Sequence, residues 1–186
     1  MNFSPRSVNF LRPGQFLRSE WARERASRNL ACATPLPPSL MASLERVIGM
    51  TRSSEDPWWL IGSAAMALHG LRQLQVADVD LLMSRNDARR LLREQRQPKA
   101  ANGGTEHFRS DVFGRLRGGP LSIDVMGGFH VRQVAAWREV VPTTRVAVRI
   151  PSGLVFVPAV SDLLDIARLM GREKDRDRAE MLERLL

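Results

Sequence analysis

Apolar residues recur along this chain with two different spacings. Over 39–50, Leu40, Leu44, Val47 and Ile48 fall near one stripe, which predicts an amphipathic helix. Residues 58–61 form a short β-compatible apolar run closed by Gly62, which predicts a buried strand. Ser63 then stands where an N-cap belongs, and Ala64, Ala65, Met66, Ala67 and Leu68 favour helix until Gly70 stops it. A second strand is expected over 77–83. Asn86-Asp87 opens a helix through Glu94 that turns Ala88, Leu91 and Leu92 inward. Past a polar, glycine-rich loop at 98–105, short strands near 106–110, 112–117 and 121–126 read as a meander, and 130–139 reads as a helix. Strands at 146–150 and 154–157 flank Pro151-Ser152-Gly153, a hairpin turn signal. Ser161 is expected to cap a helix to Met170, and 175–186 closes the chain as another. Strands and helices interleave, so the order is α/β.

The second strand carries the chemistry. Side chains alternate faces along a strand, so Asp78 and Asp80 project to one side while Val79 and Leu81 project to the other. Aspartate is depleted in strands, and two anions on one face repel unless a cation or solvent separates them. By the same alternation Ser122, Asp124 and Met126 share a face in the third strand of the meander. Mg²⁺ prefers hard oxygen ligands and commonly takes one or two carboxylates plus substrate phosphates. Three carboxylates on two adjacent strands are therefore candidates for one metal or for the two-metal arrangement of phosphoryl transfer. Backbone N–H groups at the start of the helix after Gly62-Ser63 lack intrahelical partners and suit phosphate oxygens. The plainer alternatives are a serine-capped strand–turn–helix and a solvated strand edge. His69, His107 and His130 lack zinc-ligand spacing, and Ser63 has no paired His-Asp arrangement, which disfavours a zinc site and a serine hydrolase. Trp58-Trp59 reads as core bulk, with one ring a candidate border for a nucleobase.

Ile61-Gly62-Ser63, Asp78-Val79-Asp80-Leu81 and Asp124 together resemble the motifs of the nucleotidyltransferase superfamily related to DNA polymerase beta. Ala67-Leu68-His69-Gly70 and Asp80-Leu81-Leu82 look most like its small bacterial members, including the AbiEii-like toxin nucleotidyltransferases. Gly171-Arg172-Glu173-Lys174-Asp175 stands where such members often carry Gly-Arg-x-Lys-Asp. The resemblance covers roughly residues 40–186, and its strength lies in the combination of motifs. It implies an α+β nucleotidyltransferase fold with a small mixed sheet flanked by helices. It further implies Mg²⁺-dependent transfer of a nucleotidyl group from an NTP to an acceptor hydroxyl, with release of pyrophosphate. In that scheme Asp78, Asp80 and Asp124 are the catalytic and metal-binding residues, with Gly62, Ser63 and Lys174 binding phosphate. The acceptor stays open among a small molecule, tRNA and a protein side chain. The alternative is a non-catalytic binding or regulatory member of a toxin–antitoxin pair on the same fold. The spacer from Ser63 to Asp78 is slightly longer than usual. The Arg-Asp that follows the glycines in tRNA-terminus-adding enzymes is absent, which argues against that subclass.

Composition sets outer bounds. At 186 residues and 44% hydrophobic, the chain can bury one substantial core. Its single cysteine, Cys32, excludes an internal disulfide and fits a reducing, cytoplasmic setting. No apolar run approaches the ~20 residues that span a bilayer, so no membrane partner is expected. Net charge is +8, of which +4 lies in residues 1–36 (six arginines against Glu20 and Glu24). Residues 1–38 are expected to be a basic arm with a proline-rich linker, with 39–186 the folded domain. A docking helix near 19–29 and an extension ahead of the true start are the competing readings of the arm. Only Lys99 and Lys174 are lysines among 28 basic residues. Arginine richness alone is therefore a weak signal for nucleic acid, and oligomeric state is not legible.

Overall fold

A computed structural model describes residues 30–31, 36–71, 74–97, 104–134 and 136–186. The elements run β1 (Leu30–Ala31), α1 (Pro38–Met50), β2 (Trp59–Ile61), α2 (Gly62–Leu68), β3 (Asp78–Met83) and α3 (Arg85–Glu94). They continue with β4 (Phe108–Leu116), β5 (Ser122–Arg132), β6 (Trp137–Glu139), β7 (Val146–Ile150), β8 (Gly153–Val157), α4 (Val160–Met170) and α5 (Glu173–Glu183). The main sheet has the order β2-β3-β5-β4, with β6 also paired to β5. Only β3 and β5 pair in parallel there, so the sheet is mixed. A second sheet has the order β1-β7-β8. β1 lies inside the segment expected to be an arm, and it pairs in parallel with Val148 and Arg149. The helix reading near 19–29 and most of the 98–105 loop fall outside the described residues.

The core follows strand alternation. On one face of the main sheet Leu60, Val79, Leu81, Ile123 and Val125 pack with α1 and α2. On the other, Trp59, Ile61, Leu82, Met126, Phe129 and Val131 pack with Ile166 of α4. Asp78, Asp80 and Asp124 belong to this second face by alternation, beyond the end of its apolar patch.

Three expectations need correction. The meander is a single long hairpin: β4 and β5 pair from Phe108↔Val131 to Leu116↔Ile123. The helix expected over 130–139 is instead the end of β5, a tight turn and β6. Gln133 and Ala136 exchange backbone hydrogen bonds, and His130 pairs with Glu139. Glycine at 127–128 resembles a strand terminus in sequence, but packing explains both residues. A Cβ on Gly127 would come within 2.9 Å of the Ala88 Cβ and 3.0 Å of the Arg85 Cα, so glycine lets α3 lie on the sheet. Gly128, at φ +63°, breaks the alternation and brings Phe129 and Val131 onto the face of Met126. The caps also differ. α2 begins at Gly62 after Ile61 and α4 at Val160 after Ala159, and neither Ser63 nor Ser161 caps its helix through a side-chain bond. Ser84 does cap α3, accepting from the Asp87 N–H at 3.2 Å. The buried Asp87 carboxylate in turn accepts from the Glu55 and Asp56 N–H groups, pinning the turn before β2.

Candidate active site

One row of residues crosses four strands of the main sheet. Ile61 of β2 is opposite Asp80 of β3, Asp80 is opposite Asp124 of β5, and Asp124 is opposite Arg115 of β4. Asp78 sits two residues up β3, level with Ser122. All three aspartates line one cleft of about 510 Å³, together with Gly62, Ser63 and Lys174. The cleft thus brings together the residues named as candidates for metal and phosphate binding.

Gly62 is held there for two reasons. Its φ of +65° is left-handed, and a Cβ would collide with Asp80 Oδ2. The glycine turn is the wall against which the Asp80 carboxylate rests. That carboxylate has no hydrogen bond or ion pair with any described residue. Burial, then the charges of Asp78 and Asp124, raise its pKa from 3.8 to about 7, opposed by Arg178 and Arg172. Ser63 is also buried in the cleft and its hydroxyl is not spent on capping.

Asp124 is placed differently. Arg115 donates to both of its oxygens, Nε to Oδ1 at 2.6 Å and Nη2 to Oδ2 at 2.6 Å, while Nη2 also lies 3.6 Å from Asp78 Oδ2. These contacts, led by the hydrogen bonds to Asp124, hold the guanidinium pKa above its ordinary value. No three His, Cys, Asp or Glu side chains among the described residues are spaced to hold one ion together. The three carboxylates therefore share a cleft without forming a common cage.

Residues to which the sequence assigned no role complete the cleft. Asp175, 1% exposed, accepts from Arg172 Nε at 2.6 Å and Nη2 at 2.9 Å, and pairs with Arg178 Nη1 at 3.5 Å. This buried carboxylate fixes two arginines that face the aspartates across the opening. Lys174, between them in sequence, is exposed at the rim. The apolar wall comes from Phe108, Phe113, Phe129, Met126 and Met170, with the Arg172 guanidinium 4.5 Å over the Phe108 ring. Trp58 and Trp59 do not border the cleft. Trp58 packs edge-on to Phe156, and Trp59 bonds the Thr144 carbonyl at 2.9 Å. His69 is a packing residue, its Nε2 2.8 Å from the Pro158 carbonyl oxygen, with its pKa lowered by burial. Arg115 was discoverable in principle, because a hairpin closing near 118–120 places it opposite Asp124. Arg172 and Asp175 belong to the Gly-Arg-x-Lys-Asp motif, although nothing in the sequence pairs them, and Arg178 carried no signal.

No protein-family model matches the chain, and no curated protein sequence does. A solved structure does: the chain is similar to that of a putative nucleotidyltransferase from Thermotoga maritima. The likeness has a TM-score of 0.63 at 19% identity and covers 82% of this chain and 95% of that one. This chain has the nucleotidyltransferase fold. At that identity the likeness carries the architecture and leaves the chemistry to the site. No helix among the described residues is long and apolar enough to cross a membrane.

Proposed function

We propose that this protein is a nucleotidyltransferase. The acceptor's hydroxyl oxygen attacks the α-phosphorus of an NTP, the bond from that phosphorus to the β-phosphate oxygen breaks, and pyrophosphate leaves. The observation that carries this reading is Asp80: a half-buried carboxylate without a hydrogen-bond or ion-pair partner among the described residues, pressed against a glycine turn, with two further carboxylates facing the same cleft. An anion held beside two like charges calls for a cation.

The donor set fits a magnesium ion. Asp78 and Asp80 offer hard oxygens from one strand face, and this ion needs only one or two carboxylates when phosphates supply further ligands. Asp124 is the third candidate ligand, for a second ion, and the acceptor for the hydroxyl proton. When bound, the metal would neutralise phosphate charge and polarise the reacting oxygens. The chain's own residues supply the rest. Gly62 and Ser63 would receive phosphate oxygens beside the carboxylates, and Arg172, Arg178 and Lys174 would offset the triphosphate's charge from the opposite rim. The phenylalanine wall suits the flat face of a nucleobase. Positioning and electrostatics would account for most of the acceleration.

Motif likeness favours the small AbiEii-like members, and with them a bacterial, cytoplasmic setting and a toxin–antitoxin context. The acceptor is a small molecule, tRNA or a protein side chain. A second reading, a non-catalytic regulatory relative, draws support from Arg115, which already neutralises part of the carboxylate cluster. The test is incubation with each of the four labelled NTPs, Mg²⁺ and acceptor-rich cell extract, with Asp80→Asn as control. Label transfer that the control lacks supports the enzyme. No transfer with any NTP supports the regulatory relative.

A further inference from the structure

We infer that Arg115 is a resident counter-cation, standing in the carboxylate cluster where metal-bound nucleotide must later sit. This inference rests on the proposed metal-dependent reading of the same site. Its basis is the geometry of β3, β4 and β5. Arg115 is directly opposite Asp124 across the β4–β5 ladder, and its planar fork takes both Asp124 oxygens at 2.6 Å. The same Nη2 reaches 3.6 Å from Asp78, so one guanidinium spans carboxylates on two strands.

Other groups beside the aspartates are held in place. Asp80 is backed by Gly62, and Arg172 and Arg178 are tethered to the buried Asp175. Arg115 is the most exposed of the three arginines, its side chain 40% exposed against 34% for Arg172 and 20% for Arg178. It can leave Asp78 and loosen from Asp124 without repacking the core. Two cations cannot share one set of carboxylate oxygens without repulsion. A divalent ion entering beside Asp78 and Asp80 therefore competes with the guanidinium, and the phosphates it brings offer that guanidinium a new bidentate partner. The device would keep the cluster folded and poor in free metal until nucleotide and metal arrive together.

The experiment is a titration of the full-length protein with Mn²⁺ alone, followed by calorimetry and by the electron paramagnetic resonance of free Mn²⁺. It compares wild type, Arg115→Gln, Arg115→Lys and Asp80→Asn. Arg115→Gln should bind Mn²⁺ roughly tenfold or more tightly than wild type, because a nearby unit charge is removed. Its metal-free melting temperature should fall while its rise on adding Mn²⁺ grows. Arg115→Lys keeps the charge but loses the fork, so its affinity should lie between the two. If Arg115→Gln fails to fold, that intermediate affinity carries the inference. Wild-type Mn²⁺ affinity in every folded Arg115 variant, or a weaker one, would overturn the counter-cation and leave the metal site standing. Absence of Mn²⁺ binding by wild type and variants alike, or binding unchanged in Asp80→Asn, would remove both.

Discussion

At the scale of single residues, the site turns on contacts that a glycine and a carboxylate impose on each other. Gly62→Ala adds a Cβ in a left-handed backbone, which costs about 1–2 kcal/mol by itself, and that atom would push Asp80 from its place. Urea unfolding should show the loss of stability, and titration with nucleotide should show weakened binding. A folded Gly62→Ala protein with unaltered nucleotide affinity would mean that Asp80 does not need its present position. The pH dependence belongs to the same scale. Asp80 titrates near 7 in the folded protein against 3.8 in the unfolded chain, so between those values the fold holds a proton that the unfolded chain gives up. Its stability contribution is fully present below pH 3.8 and is lost as pH rises through about 7. Metal-free Asp80→Asn should therefore be more stable than wild type at pH 8, by at most roughly 4 kcal/mol, and the gap should shrink towards pH 4. Melting temperatures of both proteins across pH 4–8 would read this directly. A constant difference would contradict the raised pKa.

At the scale of elements, the hairpin of β4 and β5 matters most, because it brings Arg115 to Asp124 and carries the phenylalanine wall. Its glycines serve neighbouring elements. Gly114 lies beneath Leu92, and Gly127 beneath Ala88 and Arg85, so α3 seats on β4 and β5 at these two points. Gly127→Ala should force α3 outward and cost about 1–3 kcal/mol, as overpacking generally does. Chemical denaturation would measure it, and a neutral result would show that α3 shifts freely on the sheet. The helical periodicities were legible here: α1, α3 and α4 begin within a residue or two of where the apolar stripes place them. The 130–139 stretch was not, because its alternation is short and the turn between β5 and β6 is closed by backbone bonds of Gln133 and Ala136 that no side chain announces.

At the scale of the whole molecule, the second sheet joins a strand from near the start of the chain to a hairpin from its later half. β1 adds to the edge of β7 by backbone pairing. Removing residues 1–29 retains that strand, whereas removing 1–36 deletes it and leaves the β7 edge unpaired. The shorter protein should melt lower than the longer truncation product, at low and high salt alike. Equal melting temperatures would make β1 dispensable. The cleft also sits at this scale, since its three aspartates and Arg115 come from the sheet, whereas Arg172 comes from the junction of α4 and α5 and Arg178 from α5 itself.

By itself the sequence determined that Asp78 and Asp80 share a strand face, that a glycine turn precedes them, and that Asp124 lies on a later strand. Those facts depend on local periodicity, which residue types reveal. The α/β order and its likeness to the nucleotidyltransferase fold were legible for the same reason. Only the tertiary structure decided that β3 and β5 are neighbours in register, so that Asp80 faces Asp124. It also decided that Arg115 occupies the carboxylate row and that Asp175 anchors Arg172 and Arg178. Pairings of this kind join positions far apart in the chain. They are set by which strands meet, and one residue of slip would turn every one of these side chains to the opposite face.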